Sequence, residues 1–248
     1  MNVRIYKINT GITGRNFSSD KRTNFPIGGK TNSFYSIGNL MRGIEDFYLE
    51  GNLYFIDKEE ELEKFYNPLG DRWVAKKKYY ISHPKKEREN YLLEASKFHE
   101  YIVREQLEEI ANYLHHELNI NSLKIEVEDG NDFSFYTNIA IEEMNLNDEG
   151  KVELKGDKTL EIKWSENVNS QNEFLWIDDF DGLVNRVQEL KTSNKWEEKE
   201  SLEENSLSKG EASYILEIDN SFGISEKIAK KIGVSPTWLK KCSFKLVF

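Results

Sequence analysis

Apolar and polar residues alternate along ten short stretches of the chain, and an alternation of period two predicts β-strands. These stretches are residues 3–8, 52–56, 73–81, 122–129, 133–143, 151–156, 158–164, 173–177, 211–219 and 243–248. The chain turns at Gly156-Asp157, so the two stretches around it predict a hairpin. Polar residues occupy one face of most of these strands, which is typical of an antiparallel sheet with one face in water.

Apolar residues recur at helical spacing in a second set of segments. These segments are residues 37–49, 58–66, 92–118, 178–191 and 224–233. The longest of them carries one apolar stripe, made of Leu107, Ile110, Ala111, Leu114 and Leu118. The pattern predicts an α+β fold, with a mostly antiparallel mixed sheet packed by one long and several short helices. A strand, this long helix and another strand follow one another along the chain, which also suits a crossover unit.

The chain is predicted to form one α+β domain over residues 1–248. A long basic loop is expected at residues 9–35, which are rich in Gly, Thr, Asn and Ser. A flexible acidic loop is expected at residues 192–210, which contain few large apolar side chains. The segment after that loop is too short to fold alone, so we expect it to return to the sheet.

Charge is distributed unevenly along the 248 residues, whose net charge is -10. Residues 1–42 carry seven basic residues and one acidic residue, a net charge of +6 that leaves -16 for the rest of the chain. Such an arm suits phosphate or nucleic acid, and the same charge suits packing on the acidic body of the protein. Its candidate anion-binding residues are Arg15, Lys21, Arg22 and Lys30.

Cysteine, histidine and hydropathy exclude several classes of protein. Cys242 is the one cysteine, so neither an internal disulfide nor a cysteine-rich metal site is expected. His115 and His116 are adjacent on a predicted helix and point about 100° apart, so they cannot share one metal ion. No apolar run approaches the roughly 18 residues of a membrane span, and the first residues do not form a secretory signal. We therefore expect a cytoplasmic protein without metal, cofactor or membrane contact.

The segment PIGGKTNS, residues 26–33, contains part of a phosphate-binding loop. Gly29-Lys30-Thr31 match the second half of that motif, but the required first glycine is replaced by Asn24. Pro26 also removes one backbone N–H inside the loop. Nucleotide binding is therefore not predicted here.

Two acidic patterns offer an enzymatic alternative. Glu161 and Lys163 share one face of a predicted strand, as in a metal-dependent nuclease, where a carboxylate binds the metal and lysine polarises the attacking group. Asp178 and Asp179 follow a predicted strand, where Mg²⁺ ligands are often found. Simpler interpretations stay open, because strands of a Glu/Lys-rich chain carry such pairs by alternation. Asp178 or Asp179 also suits the N-cap of the following helix.

The segment SEKIAKKIGVSPTWLKK, residues 225–241, resembles a helix-turn-helix DNA-binding unit. Ala229 occupies the close-packed position, Gly233 the turn and Leu239 the second helix. The resemblance implies DNA contact through the second helix. The candidate contacts are Lys230, Lys231, Lys240 and Lys241. The second helix lacks the Arg, Asn or Gln that read base edges, so the alternative is a helical connection between two strands, with Trp238 and Leu239 in the core.

These observations leave three functional hypotheses. The leading hypothesis is a non-enzymatic accessory protein that binds another protein through the basic loop or a sheet edge. Its Asn-, Lys-, Ile- and Glu-rich composition is typical of AT-rich bacterial or phage genomes, where defence and mobile-element systems are common contexts. The second hypothesis is a nucleic-acid-binding protein that uses the basic arm and the lysines near the C-terminus. The third is a metal-dependent nuclease or hydrolase.

Overall fold

The fold is α+β, as the periodicity predicts. The computed structural model describes residues 3–8, 53–56, 59–69, 73, 79–127, 144, 146, 150–155, 159–165, 174–193, 212–234, 239 and 241–248. The predicted basic loop 9–35, helix 37–49 and strand 133–143 lie outside these ranges, as does all but the start of the predicted acidic loop 192–210.

Nine strands and four α-helices are present in the described residues. The strands are β1 (Ile5–Ile8), β2 (Leu53–Ile56), β3 (Tyr79–Ser82), β4 (Leu92–Glu94), β5 (Ser122–Val127), β6 (Lys151–Lys155), β7 (Thr159–Lys163), β8 (Ser213–Asp219) and β9 (Lys241–Val247). The helices are α1 (Glu59–Leu62), α2 (Phe98–Leu118), α3 (Asp181–Thr192) and α4 (Glu226–Ile232).

The chain divides into two compact units. The first contains Met1–His99 and Ser221–Lys240, and the second contains Glu100–Asn220 and Lys241–Phe248. The organisation of residues 1–248 as a single domain stays a prediction.

The first unit contains a four-stranded sheet of order β2-β1-β3-β4. β1 pairs parallel with β2, and the other pairs are antiparallel. Tyr6 is the cross-strand neighbour of both Tyr54 and Tyr80. Tyr6 and Tyr80 belong to an apolar cluster. The buried members of the cluster are Tyr6, Ile8, Ile56, Leu62, Tyr80 and Leu92. Ile5 and Ile81 are buried on the opposite face, so this sheet has apolar side chains on both faces.

The long helix begins later than the apolar pattern predicts. Residues 92–94 form β4, and α2 begins at Phe98. Leu92 and Leu93 are both buried although they point to opposite faces of the strand. A strand covered on both faces has a continuous apolar run, which periodicity cannot distinguish from the start of a buried helix. The predicted crossover unit is also wrong, because its two strands, β3 and β5, belong to different sheets.

The second unit contains a five-stranded antiparallel sheet of order β6-β7-β5-β9-β8. Its strands alternate as predicted, with buried aliphatic side chains on one face and charged side chains on the other. β9 comes from the last residues of the chain and lies between β5 and β8, which confirms that the C-terminal segment returns to the sheet. The predicted hairpin is confirmed by the pairing of β6 with β7.

Residues 174–177, predicted as part of a strand, do not form one. The backbone N–H groups of Trp176 and Ile177 donate to the Glu109 carboxylate of α2 instead of to a neighbouring strand. The chain then enters a 3-10 turn at Ile177–Asp179 and continues into α3. A distant carboxylate therefore takes the hydrogen bonds that a strand partner would have supplied.

Candidate functional site

β8 forms one outer edge of the five-stranded sheet, since β9 is its partner among the described strands. Ala212 and Phe248 exchange two backbone hydrogen bonds, of 2.8 Å and 3.0 Å. Hydrogen-bonded pairs alternate along an antiparallel ladder, so the next such pair is Tyr214 with Leu246. The intervening residues direct their backbone N–H and C=O groups away from β9. These residues include Ser213, Ile215 and Glu217, which we call the β8 edge.

The outward backbone groups of the β8 edge pair with no further strand among the described residues. Within the described ranges, no hydrogen bond joins Ser213, Ile215 or Glu217 to a group on the outer side of β8. The Ile215 side chain is 55% exposed, although most large apolar side chains of the unit are buried. A row of open donors and acceptors beside an exposed branched side chain can template another strand.

α3 supports the inner face of β8 without closing its edge. Gly182 in the first turn of α3 lies so close to Tyr214 that an added Cβ would collide with the tyrosine hydroxyl. Leu216 and Ile218 on the same inner face are fully buried. α3 therefore supports the inner face of β8, and β9 pairs with one of its two edges. The other edge of β8 pairs with no described strand.

Acidic side chains dominate one end of the β8 edge. The Glu217 carboxylate lies 3.7 Å from Lys241 Nζ, and both side chains are about two-thirds exposed. Lys241 is also the cross-strand partner of Asp219, so this end of β8 places two acidic residues beside one lysine of β9. The next lysine of β9, Lys245, donates at 3.0 Å to Glu126 on the far side of the strand. Acidic charge therefore exceeds basic charge along this part of the edge.

The opposite edge of the sheet has a different chemistry. β6 is five residues long, and Lys151, Glu153 and Lys155 are its exposed side chains. Lys155 Nζ lies 3.0 Å from Glu153 and 3.7 Å from Glu161. Short edge strands with charged side chains resist pairing with other chains. β8 is longer, and its exposed side chains include an isoleucine, so it is the better candidate for strand addition.

The four residues of the nuclease hypothesis lie on two different elements, β7 and the 3-10 turn before α3. Glu161 and Lys163 are on the polar face of β7, with 3.3 Å between the carboxylate and Nζ, and Lys155 approaches the same carboxylate. This arrangement is a small network of surface ion pairs. Asp178 and Asp179 are exposed in the 3-10 turn before α3. Among the described residues, no three His, Cys, Asp or Glu side chains are grouped so that they could hold a metal ion.

The aspartates do not cap α3 as the sequence suggests. The N-cap residue is Phe180, and no side chain accepts a hydrogen bond there. The 3-10 turn places the first helical residue at Asp181, one residue beyond the position that would make Asp179 the cap. The capping interpretation is therefore wrong, and the metal-binding interpretation stays a hypothesis.

The lysines of the DNA hypothesis are only partly described. Lys230 and Lys231 lie in the last turn of α4, the first exposed and the second half-buried. Ser225 caps this helix and Gly233 ends it at φ 84°, as the helix-turn pattern predicts. Lys241 begins β9, so the second helix has room only for the six residues between Val234 and that strand. The remaining candidates lie outside the described residues and are Arg15, Lys21, Arg22, Lys30 and Lys240.

Glu109 on α2 is a half-buried glutamate whose pKa is shifted by its surroundings. Glu109 Oε1 accepts hydrogen bonds from Trp176 N–H and, at 2.8 Å, from Ile177 N–H, and Glu105 accepts from Trp176 Nε1 at 2.8 Å. Burial raises the pKa of Glu109, the backbone N–H groups of residues 175–177 lower it, and Glu105 raises it further, leaving it above 4.5. Its acceptor sites are occupied by the backbone, so this carboxyl stabilises structure.

Comparison with protein-family models, with curated proteins and with solved structures finds no match to this chain. In the part of the chain that the structure describes, no helix is both long enough and apolar enough to cross a membrane.

The β8 edge was not among the candidate residues derived from the sequence. The strand at residues 211–219 is predicted, but its edge position depends on the order of five strands from distant parts of the chain. The one signal in the sequence is Ile215, an apolar residue on the face where β8 otherwise places Ser213, Glu217 and Asp219.

Proposed function

We propose that this chain is a non-enzymatic accessory protein of the cytoplasm, and that it binds another protein by accepting one of that partner's strands at the β8 edge. The open backbone groups of Ser213, Ile215 and Glu217 carry the proposal. In strand addition, main-chain hydrogen bonds supply affinity and side chains on alternate positions supply specificity.

Two further observations support a binding role for this edge. β8 is held by α3 and β9, so the edge is pre-organised and little ordering entropy opposes binding. Ile215 lies between Ser213 and Glu217 on an otherwise polar face, where an apolar side chain gains from contact with a partner. Among the described residues no comparable observation supports catalysis: the Glu161 carboxylate is paired with Lys155 and Lys163, and the Glu109 carboxylate accepts hydrogen bonds from backbone N–H groups.

The test uses proline at the edge. Ile215→Pro removes an outward N–H and no hydrogen bond to β9, so β8 should persist, because proline is tolerated at edge positions whose N–H faces solvent. The matched control Ile215→Thr keeps the N–H and the β-branched shape but removes apolar surface. Thermal unfolding of both variants should occur within a few degrees of the wild-type midpoint.

The measurement is affinity capture of cellular partners, followed by hydrogen exchange on the isolated complex. We expect one partner protein to bind the wild type, and Ile215→Pro to weaken it by about tenfold or more, since at least one backbone hydrogen bond is lost and the ring crowds the added strand. Ile215→Thr should weaken it less. The amides of Ile215 and Glu217 should be protected in the complex. Undiminished binding by folded Ile215→Pro, or protection only elsewhere, would refute the proposal.

A further inference from the structure

We infer that the strand accepted by the β8 edge carries a basic side chain opposite Glu217 and an apolar side chain opposite Ile215, and that it belongs to a different protein. This inference rests on the proposed function and specifies the chemistry of its partner. It follows from the exposed side chains of Ile215 and Glu217 on β8 and from the charges of their neighbours on β9.

The register of the sheet fixes what an added strand would meet. Ile215 is the cross-strand neighbour of Lys245, and Glu217 is the neighbour of Ser243. An added strand places its own residues directly opposite Ile215 and Glu217 on the other side, about 5 Å away. The residue opposite Ile215 completes an apolar contact, and the residue opposite Glu217 faces a carboxylate.

Glu217 favours a cation at that position. Its cross-strand neighbour on β9 is the uncharged Ser243. The nearby Lys241 is the cross-strand neighbour of Asp219. A lysine or arginine opposite Glu217 would therefore place a cation directly opposite a carboxylate that Lys241 approaches only from a diagonal position, at 3.7 Å. A glutamate or aspartate there would place like charges directly opposite each other, which destabilises sheet pairing.

The same charges argue against a second copy of this chain. β8 has the sequence SYILEID, which contains two acidic residues and no basic residue. No pairing of two β8 strands places a cation from one strand opposite Glu217 of the other. An antiparallel register that pairs Glu217 with itself would also place two carboxylates together. The whole chain carries a net charge of -10, which further opposes self-association.

The test uses two seven-residue peptides with blocked ends. The lysine peptide is Thr-Lys-Thr-Val-Thr-Lys-Thr, and the glutamate peptide replaces both lysines with glutamate. Each is symmetric, so either strand direction places valine opposite Ile215 and a charged residue opposite Glu217. A third peptide is the lysine peptide with an N-methyl group on the valine amide, which prevents that amide from donating a hydrogen bond.

Binding is measured by titrating the full chain and following the amide signals of Ile215 and Glu217 by NMR. We expect the lysine peptide to bind about fivefold more tightly than the glutamate peptide, from the known range of cross-strand charge pairs. The charge-reversal variant Glu217→Lys should invert this order. The N-methylated peptide should bind more weakly than its parent to both forms of the protein.

Each other outcome identifies which statement fails. Equal binding of the two charged peptides, with shifts at Ile215 and Glu217, overturns the basic-partner inference and leaves strand addition standing. Absence of shifts at the β8 edge with every peptide overturns both. Protection of the same amides in a peptide-free dimer, measured by hydrogen exchange at rising protein concentration, shows that a second copy occupies the edge and overturns the inference that the partner is a different protein.

Discussion

Replacement of Glu109 tests whether a single carboxyl on α2 organises residues 175–177. Glu109→Ala removes the acceptor of two backbone N–H groups, those of Trp176 and Ile177, and both residues are buried. A buried donor left without an acceptor costs about 1–3 kcal/mol. Water can reach part of the resulting space, so we expect a combined loss of about 2–4 kcal/mol in the free energy of unfolding.

Glu109→Gln should cost much less than the alanine variant. Glutamine keeps an oxygen acceptor at the same distance from the backbone and carries no charge. Burial already raises the pKa of Glu109, so the folded protein disfavours its charged form and gains from a neutral replacement. We expect a change within about 1 kcal/mol of the wild type. Glu108→Ala is the control on the neighbouring helix position, where the carboxylate pairs with Arg104 at 3.7 Å.

The assay is urea unfolding followed by far-ultraviolet circular dichroism, repeated between pH 4 and pH 8. Because the folded pKa of Glu109 lies above 4.5, the folded state binds this proton more tightly than the unfolded state. The resulting stabilisation is complete below pH 4.5 and is lost as the pH rises through the folded pKa. The difference in the free energy of unfolding between the wild type and Glu109→Gln should therefore decrease as the pH rises through the folded pKa. Equal losses for the glutamine and alanine variants would refute the reasoning, since they would mean that the ionised carboxylate is required.

Substitutions at three further positions test local features of the fold and the nuclease hypothesis. Gly150→Ala should destabilise the protein by about 1–3 kcal/mol in the same urea assay, because the new Cβ would lie 2.8 Å from Trp164 Nε1; a neutral result would contradict the close approach. Gly233→Ala should cost about 1 kcal/mol, since φ is 84° at this helix end, and Gly233→Asn should cost less. Glu161→Gln should change stability by less than about 1 kcal/mol and leave Mg²⁺ without effect on the melting temperature; a Mg²⁺-dependent shift lost in this variant would revive the nuclease hypothesis.

Local sequence signals predicted the elements whose stabilising contacts are themselves local. α4 begins after Ser225, whose hydroxyl accepts from Ile228 N–H at 3.4 Å, and it ends at Gly233 in the left-handed conformation. Both residues are standard helix boundaries and can be identified without knowledge of the rest of the chain. The strands of the five-stranded sheet were predicted for a similar reason. A sheet with one buried and one polar face requires apolar and polar residues to alternate along each strand, and this alternation is visible in the sequence.

The failures occur where distant residues override the local pattern. The apolar spacing of residues 92–118 predicts a helix that includes residues 92–94, but pairing with β3 makes those three residues a strand. The segment ending at Ile177 has the composition of a strand, but Glu109, 68 residues earlier, binds its backbone. Glu109 and Ile177 are too far apart for one sequence window, and the period of residues 92–94 alone does not reveal that they pair with β3.

The two edges of the five-stranded sheet differ in how well their side chains resist the addition of another strand. β6 exposes alternating lysine and glutamate side chains, which pair with one another and with β7 and so resist an added strand. β8 exposes Ile215, and its outward backbone groups have no partner strand among the described residues. If both edges served only to end the sheet, the longer edge would need the stronger protection, yet it has the weaker one. The difference is explained if β8 is kept available for a partner, and the proline substitution at Ile215 tests that explanation directly.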